Sequence, residues 1–156
     1  MSTRIRKAVD DDFASVLSLI KELAEFEKAP DKVTNSVELM KMERNFFQCY
    51  VAETDDNEIV GIALYYFVYY TWVGKSLYLE DIFIKDTYRG KNIGTALMEK
   101  IFEIAKTEDC KRIRWQVLKW NNKAIEMYKK FGAEIDEEWY NCTVDHTAIR
   151  NYVIKK

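Results

Sequence analysis

Apolar and polar residues recur along this chain with two periods, and each switch of period marks an element. Arg4 to Ala8 alternates and reads as a short strand. Phe13, Val16, Leu17, Ile20, Leu23 and Ala24 then return every three or four residues, which predicts one apolar helical face. Asp10 is placed to cap that helix, Pro30 to end it, and Ser36 to cap a second helix through about Arg44. Phe47 to Glu53 and Ile59 to about Tyr70 read as strands around the turn Asp55-Asp56-Asn57-Glu58, so a hairpin is expected. A third strand, Leu77 to Ile84, follows Gly74. Leu97, Ile101, Ile104 and Ala105 mark a helix starting near Ile93. Arg112 to Leu118 predicts another strand. Ala124, Met127, Tyr128 and Phe131 line a short helix that Gly132 can close in the left-handed conformation. Ile135 to Val144 predicts a closing strand, and Asp145 the cap of a last helical turn.

Helices set among strands in this order imply an α/β or α+β sandwich around a mixed sheet. The 156 residues suit a single domain spanning the whole chain, and 48% hydrophobic residues suffice for a buried core. Basic and acidic residues nearly cancel (24 against 26), so no concentrated positive field favours nucleic acid. The most apolar run, Ile59 to Val73, is shorter than the ~20 residues of a membrane helix, and the chain opens without a leader-like apolar stretch. Cys49, Cys110 and Cys142 lie far apart, which fits reduced thiols and a cytoplasmic setting. With one histidine, His146, neither a His-based triad nor a metal site is expected.

The segment Asp86 to Thr95 joins a strand to a helix start, where unpaired backbone N–H groups and the positive end of the helix dipole gather. Gly90 and Gly94 allow close approach of a ligand, and Arg89 and Lys91 add charge, so the loop suits a pyrophosphate. Neither GKS/GKT nor GxGxxG occurs, which excludes the common triphosphate and dinucleotide loops. An ordinary turn would use the same residues.

Tyr88-Arg89-Gly90-Lys91-Asn92-Ile93-Gly94 resembles the acetyl-CoA loop Q/R-x-x-G-x-G/A of the GNAT superfamily; Arg89 and Gly94 fit, and Asn92 replaces the middle glycine. Leu77 to Ile84, Trp120-Asn121, and Ala124 to Ala133 are similar to the spermidine/spermine (diamine) acetyltransferase family, as are Glu22 to Lys28 and Trp72-Val73-Gly74-Lys75. Glu25-Phe26-Glu27-Lys28 is closer to its thialysine-acetylating branch. The resemblance implies a GNAT fold, a mixed and mostly antiparallel sheet of six to seven strands splayed at the centre, with helices on both faces. It implies acetyl-CoA held by the backbone of Ile82, Phe83 and Ile84, by Arg89, Gly90, Lys91, Asn92, Ile93, Gly94 and Thr95, and by Asn121 and Lys130. It also implies a homodimer, while the charge balance, the single histidine and the short apolar runs speak against nucleic acid, metal and membrane.

The implied reaction is direct attack by the primary amine of a small cationic substrate (polyamine, diamine or thialysine-like) on the acetyl group. An alkylammonium of pKa near ~10 must first lose a proton, and the departing thiolate leaves more easily when protonated. Tyr128 matches the family's catalytic tyrosine and can supply that proton; it equally fits the helix's apolar face. Glu80 is the candidate for substrate recognition and proton removal, or else forms a salt bridge within the sheet. Strand alternation sends Glu80 and Asp81 to opposite faces, and Asp81 remains open between binding and structure. Glu27 matches a substrate-binding carboxylate or lies on a solvated helix face. Trp72 either walls the alkyl chain or packs between strands. Tyr70 stands where polyamine-specific members carry an acidic residue, which weakens the case for long polyamines. The alternatives are an acetyl-CoA-binding regulatory module without turnover and an acetyltransferase of protein lysines or amino termini.

Overall fold

A computed structural model describes residues 3–155; Met1 and Ser2, at the head of the segment read for a leader, and Lys156 lie outside it. The chain forms two compact units, one reaching Leu118 and the other starting at Lys119. The first carries β1 (Thr3–Lys7), α1 (Phe13–Phe26), α2 (Val37–Met42), β2 (Gln48–Thr54), β3 (Ile59–Tyr70), β4 (Gly74–Ile84), α3 (Ile93–Thr107) and β5 (Ile113–Arg114). The second carries α4 (Asn122–Lys130) and α5 (His146–Asn151).

One sheet of order β1-β2-β3-β4-β5 runs antiparallel from β1 to β4, and β5 joins β4 in parallel. Register assigns the faces. Cys49, Val51, Ile62, Leu64 and Phe83 share one face and form a buried core with Phe13, Val16, Leu17 and Leu19 of α1. The opposite face meets α3, whose Leu97 and Gly94 lie against Gly61 and Ile84. Leu97, Met98 and Ile101 are fully buried there. A mixed sheet between helices therefore follows from two period-matched apolar faces.

Several local signals act as expected. Ser36 Oγ accepts the Leu39 N–H at 3.1 Å, Asp145 accepts the Ala148 N–H at 2.8 Å, and Gly132 closes α4 at φ +83°. Asp10 does not cap α1. Its carboxylate is taken by Arg44, while Asp12 accepts the Val9 N–H at 2.8 Å and a two-pronged contact from Arg6. Arg6 also bonds Glu53, so the guanidinium ties β1, β2 and the start of α1 together.

Five strands form among the described residues, not six to seven. The expected strand Arg112 to Leu118 shrinks to Ile113–Arg114, and Ile135 to Val144 forms no strand. A strand persists only with a ladder partner, and β5 offers two residues. Within 135–144, Asp136 Oδ1 accepts the Glu138 N–H at 2.9 Å, a local bond that competes with extended pairing.

Candidate active site

β4 carries most of the candidate chemistry, and its pairing is irregular in two ways. Its pairing with β5 covers only Leu77 and Tyr78, so from Leu79 onward that edge has no strand partner among the described residues. The Lys85 N–H bonds the Val60 carbonyl at 2.9 Å, so by antiparallel alternation Phe83 bonds toward β3 and Ile82 and Ile84 turn their backbone groups outward. The outward Ile84 carbonyl accepts Arg89 Nε at 3.3 Å.

The second irregularity is a bulge. Tyr65 pairs with Leu79 and Leu64 with Asp81, leaving Glu80 as the extra residue of β4. Leu64 and Tyr65 point to opposite faces, so Asp81 faces α1 while Leu79 faces α3. Glu80 also turns to the α1 face, because its Oε2 accepts the Tyr66 hydroxyl at 2.7 Å and Tyr66 shares the face of Leu64. The expectation that Glu80 and Asp81 diverge is thus corrected: simple alternation fails where a bulge inserts one residue.

The two carboxylates have company. Burial, followed by the charges of Glu80 and Glu27, raises the Asp81 carboxyl to about 6. Glu27 follows α1 as its C-terminal cap and is exposed as a residue, yet its carboxyl is tucked in enough for burial to raise its pKa. Among the described residues no arginine or lysine ion-pairs with Glu80, Asp81 or Glu27, and the three do not converge closely enough to hold a metal ion. Two partly desolvated carboxylates, Asp81 and Glu27, beside the exposed Glu80 and without a lysine or arginine counter-ion, favour a cationic ligand. Cys49 lies in the core below them, and burial pushes its thiol up to about 12.

The β4–α3 loop fits an anionic coenzyme on its own geometry. Gly90 has φ +77° and open space where a Cβ would be, and Asn92 occupies the left-handed region at φ +61° immediately before α3. An asparagine accepts that conformation where most residues resist it. A Cβ on Gly94 would come 3.1 Å from Ile84 Cδ1, so a glycine keeps the first turn of α3 close to the sheet. The first N–H groups of α3 have no intrahelical partner. Lys91 Nζ lies 4.6 Å from the centroid of the Tyr88 ring, and Tyr88 and Lys85 both bond Glu58, which anchors the loop to the β2–β3 turn.

Arg89 occupies a more committed position than the sequence suggested. Its guanidinium lies over Phe26 and Phe83 and pairs with Asp86 at 2.8 Å. Beside it an open cleft of about 410 Å³ runs between the last turns of α1 and the loop. A larger hollow of about 570 Å³, near Lys7 to Asp11 and Arg44 to Cys49, contains none of the candidate residues.

Trp72 does not pack between strands; it stands at the β3–β4 turn, 86% exposed. In the second unit, Tyr128 is buried on α4, and its carbonyl accepts the Phe131 and Ala133 N–H groups. Asn121 caps α4 by accepting the Ala124 N–H at 3.3 Å, and Lys130 is exposed in its last turn. The sequence reading missed Tyr66 and Tyr78. Both stood in the sequence as aromatics of two strand candidates, but only the pairing of β3 with β4 brings them together beside Glu80.

The model of the Acetyltransferase (GNAT) family matches residues 13–133. Thialysine N-epsilon-acetyltransferase of Mus musculus is 40% identical over 163 aligned positions, covering 96% of this chain and 96% of that protein. The spermidine/spermine N(1)-acetyltransferase-like protein 1 of Homo sapiens is 34% identical over 88% of this chain and 22% of its own length. The solved structure of a possible acetyltransferase from Clostridium difficile 630 superposes with a TM-score of 0.76 at 24% identity, covering 94% of this chain and 100% of the other; this likeness concerns the fold alone. A match running from α1 to the end of α4, together with near-full-length similarity to acetyltransferases, establishes that this chain belongs to the GNAT family and is an acetyltransferase.

Proposed function

We propose that the chain moves an acetyl group from acetyl-CoA to the primary amine of a small cationic acceptor, of the diamine, polyamine or thialysine-like kind. The observation that carries this reading is the β4 bulge, which turns Glu80 and Asp81 to one face with Glu27 nearby and leaves all three without a counter-cation. An ammonium group supplies the missing charge. Ile82 and Ile84 would hold the coenzyme's arm along the open β4 edge, and Gly90 to Thr95 its pyrophosphate at the start of α3. When bound, acetyl-CoA supplies the acetyl group and a thiol leaving group.

The protein's own residues handle the protons. Glu80, fixed by the Tyr66 hydroxyl, receives the proton that the ammonium must lose. Asp81 and Glu27 orient the cation. Tyr128 donates to the departing sulfur; this role is supported by its family position and by a phenol's being protonated at neutral pH. Asn121 and Lys130 are assigned to the coenzyme on the same family ground. The chain is proposed to act as one domain over 1–156 and as a homodimer. A cytoplasmic setting suits its three unpaired cysteines.

Free-thiol release from acetyl-CoA across spermine, spermidine, putrescine, thialysine, lysine and a histone-tail peptide tests the reading. Turnover with a small amine is the expected result. Coenzyme binding without thiol release would replace it with the regulatory-module reading, and turnover of the peptide alone with a protein acetyltransferase.

A further inference from the structure

We infer that Arg89 serves the acceptor rather than the coenzyme: its guanidinium is a clamp that holds the end of α1, and with it Glu27, against β4 beside Asp81. Arg89 is then a positioning residue, acting through Phe26 and Phe83 and not through contact with either substrate. The inference rests on the proposed cation site at Glu80, Asp81 and Glu27, and assigns the residue that keeps two of its carboxylates together.

The end of α1 needs such a hold. The buried residues of α1, from Phe13 to Leu19, all lie in the first half of the helix, and Phe26 in its last turn is 38% exposed. Backbone bonds fix the chain that follows: the Glu27 N–H reaches the Leu23 carbonyl at 2.9 Å, and the Ala29 N–H the Ala24 carbonyl at 2.8 Å. Those bonds orient Glu27 within α1 but not against the sheet. The Arg89 guanidinium supplies a link across, 5.1 Å from the centroid of the Phe26 ring and 5.4 Å from that of Phe83. Phe83 pairs with Ile62 and Asp81 with Leu64, so Phe83 and Asp81 share the α1 face. One guanidinium therefore lies against the residue before Glu27 and the residue two beyond Asp81. It also brings positive charge to the C-terminal end of α1, whose last turn has no basic residue of its own.

The same contacts leave Arg89 poorly placed for a phosphate. Its Nε donates to the Ile84 carbonyl at 3.3 Å, a terminal nitrogen pairs with Asp86 at 2.8 Å, and two rings cover the guanidinium. The open cleft of about 410 Å³ beside it sets Glu22, Glu25 and Asp86 against Lys85 and Arg89. A phosphate entering there would meet a surplus of negative charge. The backbone from Gly90 to Thr95, at the start of α3, remains for the pyrophosphate. The clamp also requires an arginine. A planar guanidinium stacks on aromatic faces while its edge donates, whereas a lysine ammonium brings the charge without the plane or the fork.

Arg89→Lys and Arg89→Gln separate a clamp from a phosphate ligand, and Phe26→Leu removes one ring while leaving Arg89 in place. Hydrogen exchange of the ligand-free protein is read at the Glu27 and Ala29 N–H groups. Calorimetry gives the dissociation constants of coenzyme A and, in its presence, of putrescine and lysine. In all three variants exchange should quicken and amine binding weaken, each on the order of tenfold, with coenzyme A binding held within about twofold. Unchanged exchange in both Arg89 variants overturns the inference, as does faster exchange with amine binding unaltered. Weaker coenzyme A binding in Arg89→Gln that Arg89→Lys restores also overturns it, and makes Arg89 a phosphate ligand by charge. Faster exchange in the variants of a protein that neither binds nor acetylates any amine would sink the proposed reaction and leave the clamp standing.

Discussion

At the scale of single residues, chemistry depends on what each side chain touches. Glu80 is exposed, yet the Tyr66 hydroxyl fixes one of its oxygens, which a solvated glutamate on an open strand would lack. Arg89 shows the converse. Its charge sits beside the coenzyme loop in sequence, but two rings and Asp86 already hold it. Tyr128 is buried on α4 and is assigned the role of acid. Tyr128→Phe removes one oxygen and keeps the ring's packing. It is expected to lower kcat about a hundredfold or more while leaving the dissociation constant for coenzyme A unchanged. An unaltered kcat in steady-state assays would remove Tyr128 from the mechanism.

At the scale of elements, the loop before α3 and the bulge in β4 decide the site. Asn92 at φ +61° sets the entry angle of α3, and Gly94 sets its distance from Ile84. The conformation is costly for a residue with a branched Cβ and free for glycine. Asn92→Val is therefore expected to destabilise by about 1–2 kcal/mol and to weaken coenzyme binding, whereas Asn92→Gly keeps both. Urea unfolding and coenzyme titration of the two variants check this, and an equal effect of both would show that backbone strain is not the cause. The bulge has no comparable sequence mark. Glu80 is the extra residue only because Leu64 and Tyr65 on β3 take Asp81 and Leu79 as partners.

At the scale of the whole molecule, stability against pH reflects two opposed sets of carboxylates. Arg6 and Arg4 hold Glu53 down to about 2, and Arg6 likewise lowers Asp12. Their contributions are present above the ordinary carboxylate range and are lost as pH falls through it toward 2. Asp81 has the opposite sign. With its folded pKa raised to about 6, the native state binds a proton more readily than the unfolded chain. Its ionisation costs stability above pH 6, and the cost fades as pH falls from 6 toward 4. Asp81→Asn should therefore stabilise the protein by up to ~3 kcal/mol at pH 8 and leave it unchanged at pH 4. Thermal unfolding at the two values checks this. The same gain at both would assign the effect to packing rather than charge. A penalty of this sign is consistent with the proposed cation-binding role of Asp81.

Features that short-range forces control were legible in the chain alone. Periodicity gave the helices and the hairpin, Ser36, Asp145 and Gly132 acted as caps and stops, and the loop motif carried the family likeness. These signals survive because caps, turns and amphipathic faces depend on neighbours within a few residues. Which side chains share a face depends on strand pairing across the fold. A one-residue bulge reverses the direction of every residue beyond it relative to those before, so it brought Asp81 beside Glu80 against the simple alternation. Among the described residues the closing strand expected over 135–144 has no ladder partner, and a strand's own sequence does not supply one. Direction and partnership in a sheet are properties of the pair, and a single strand's sequence does not contain them.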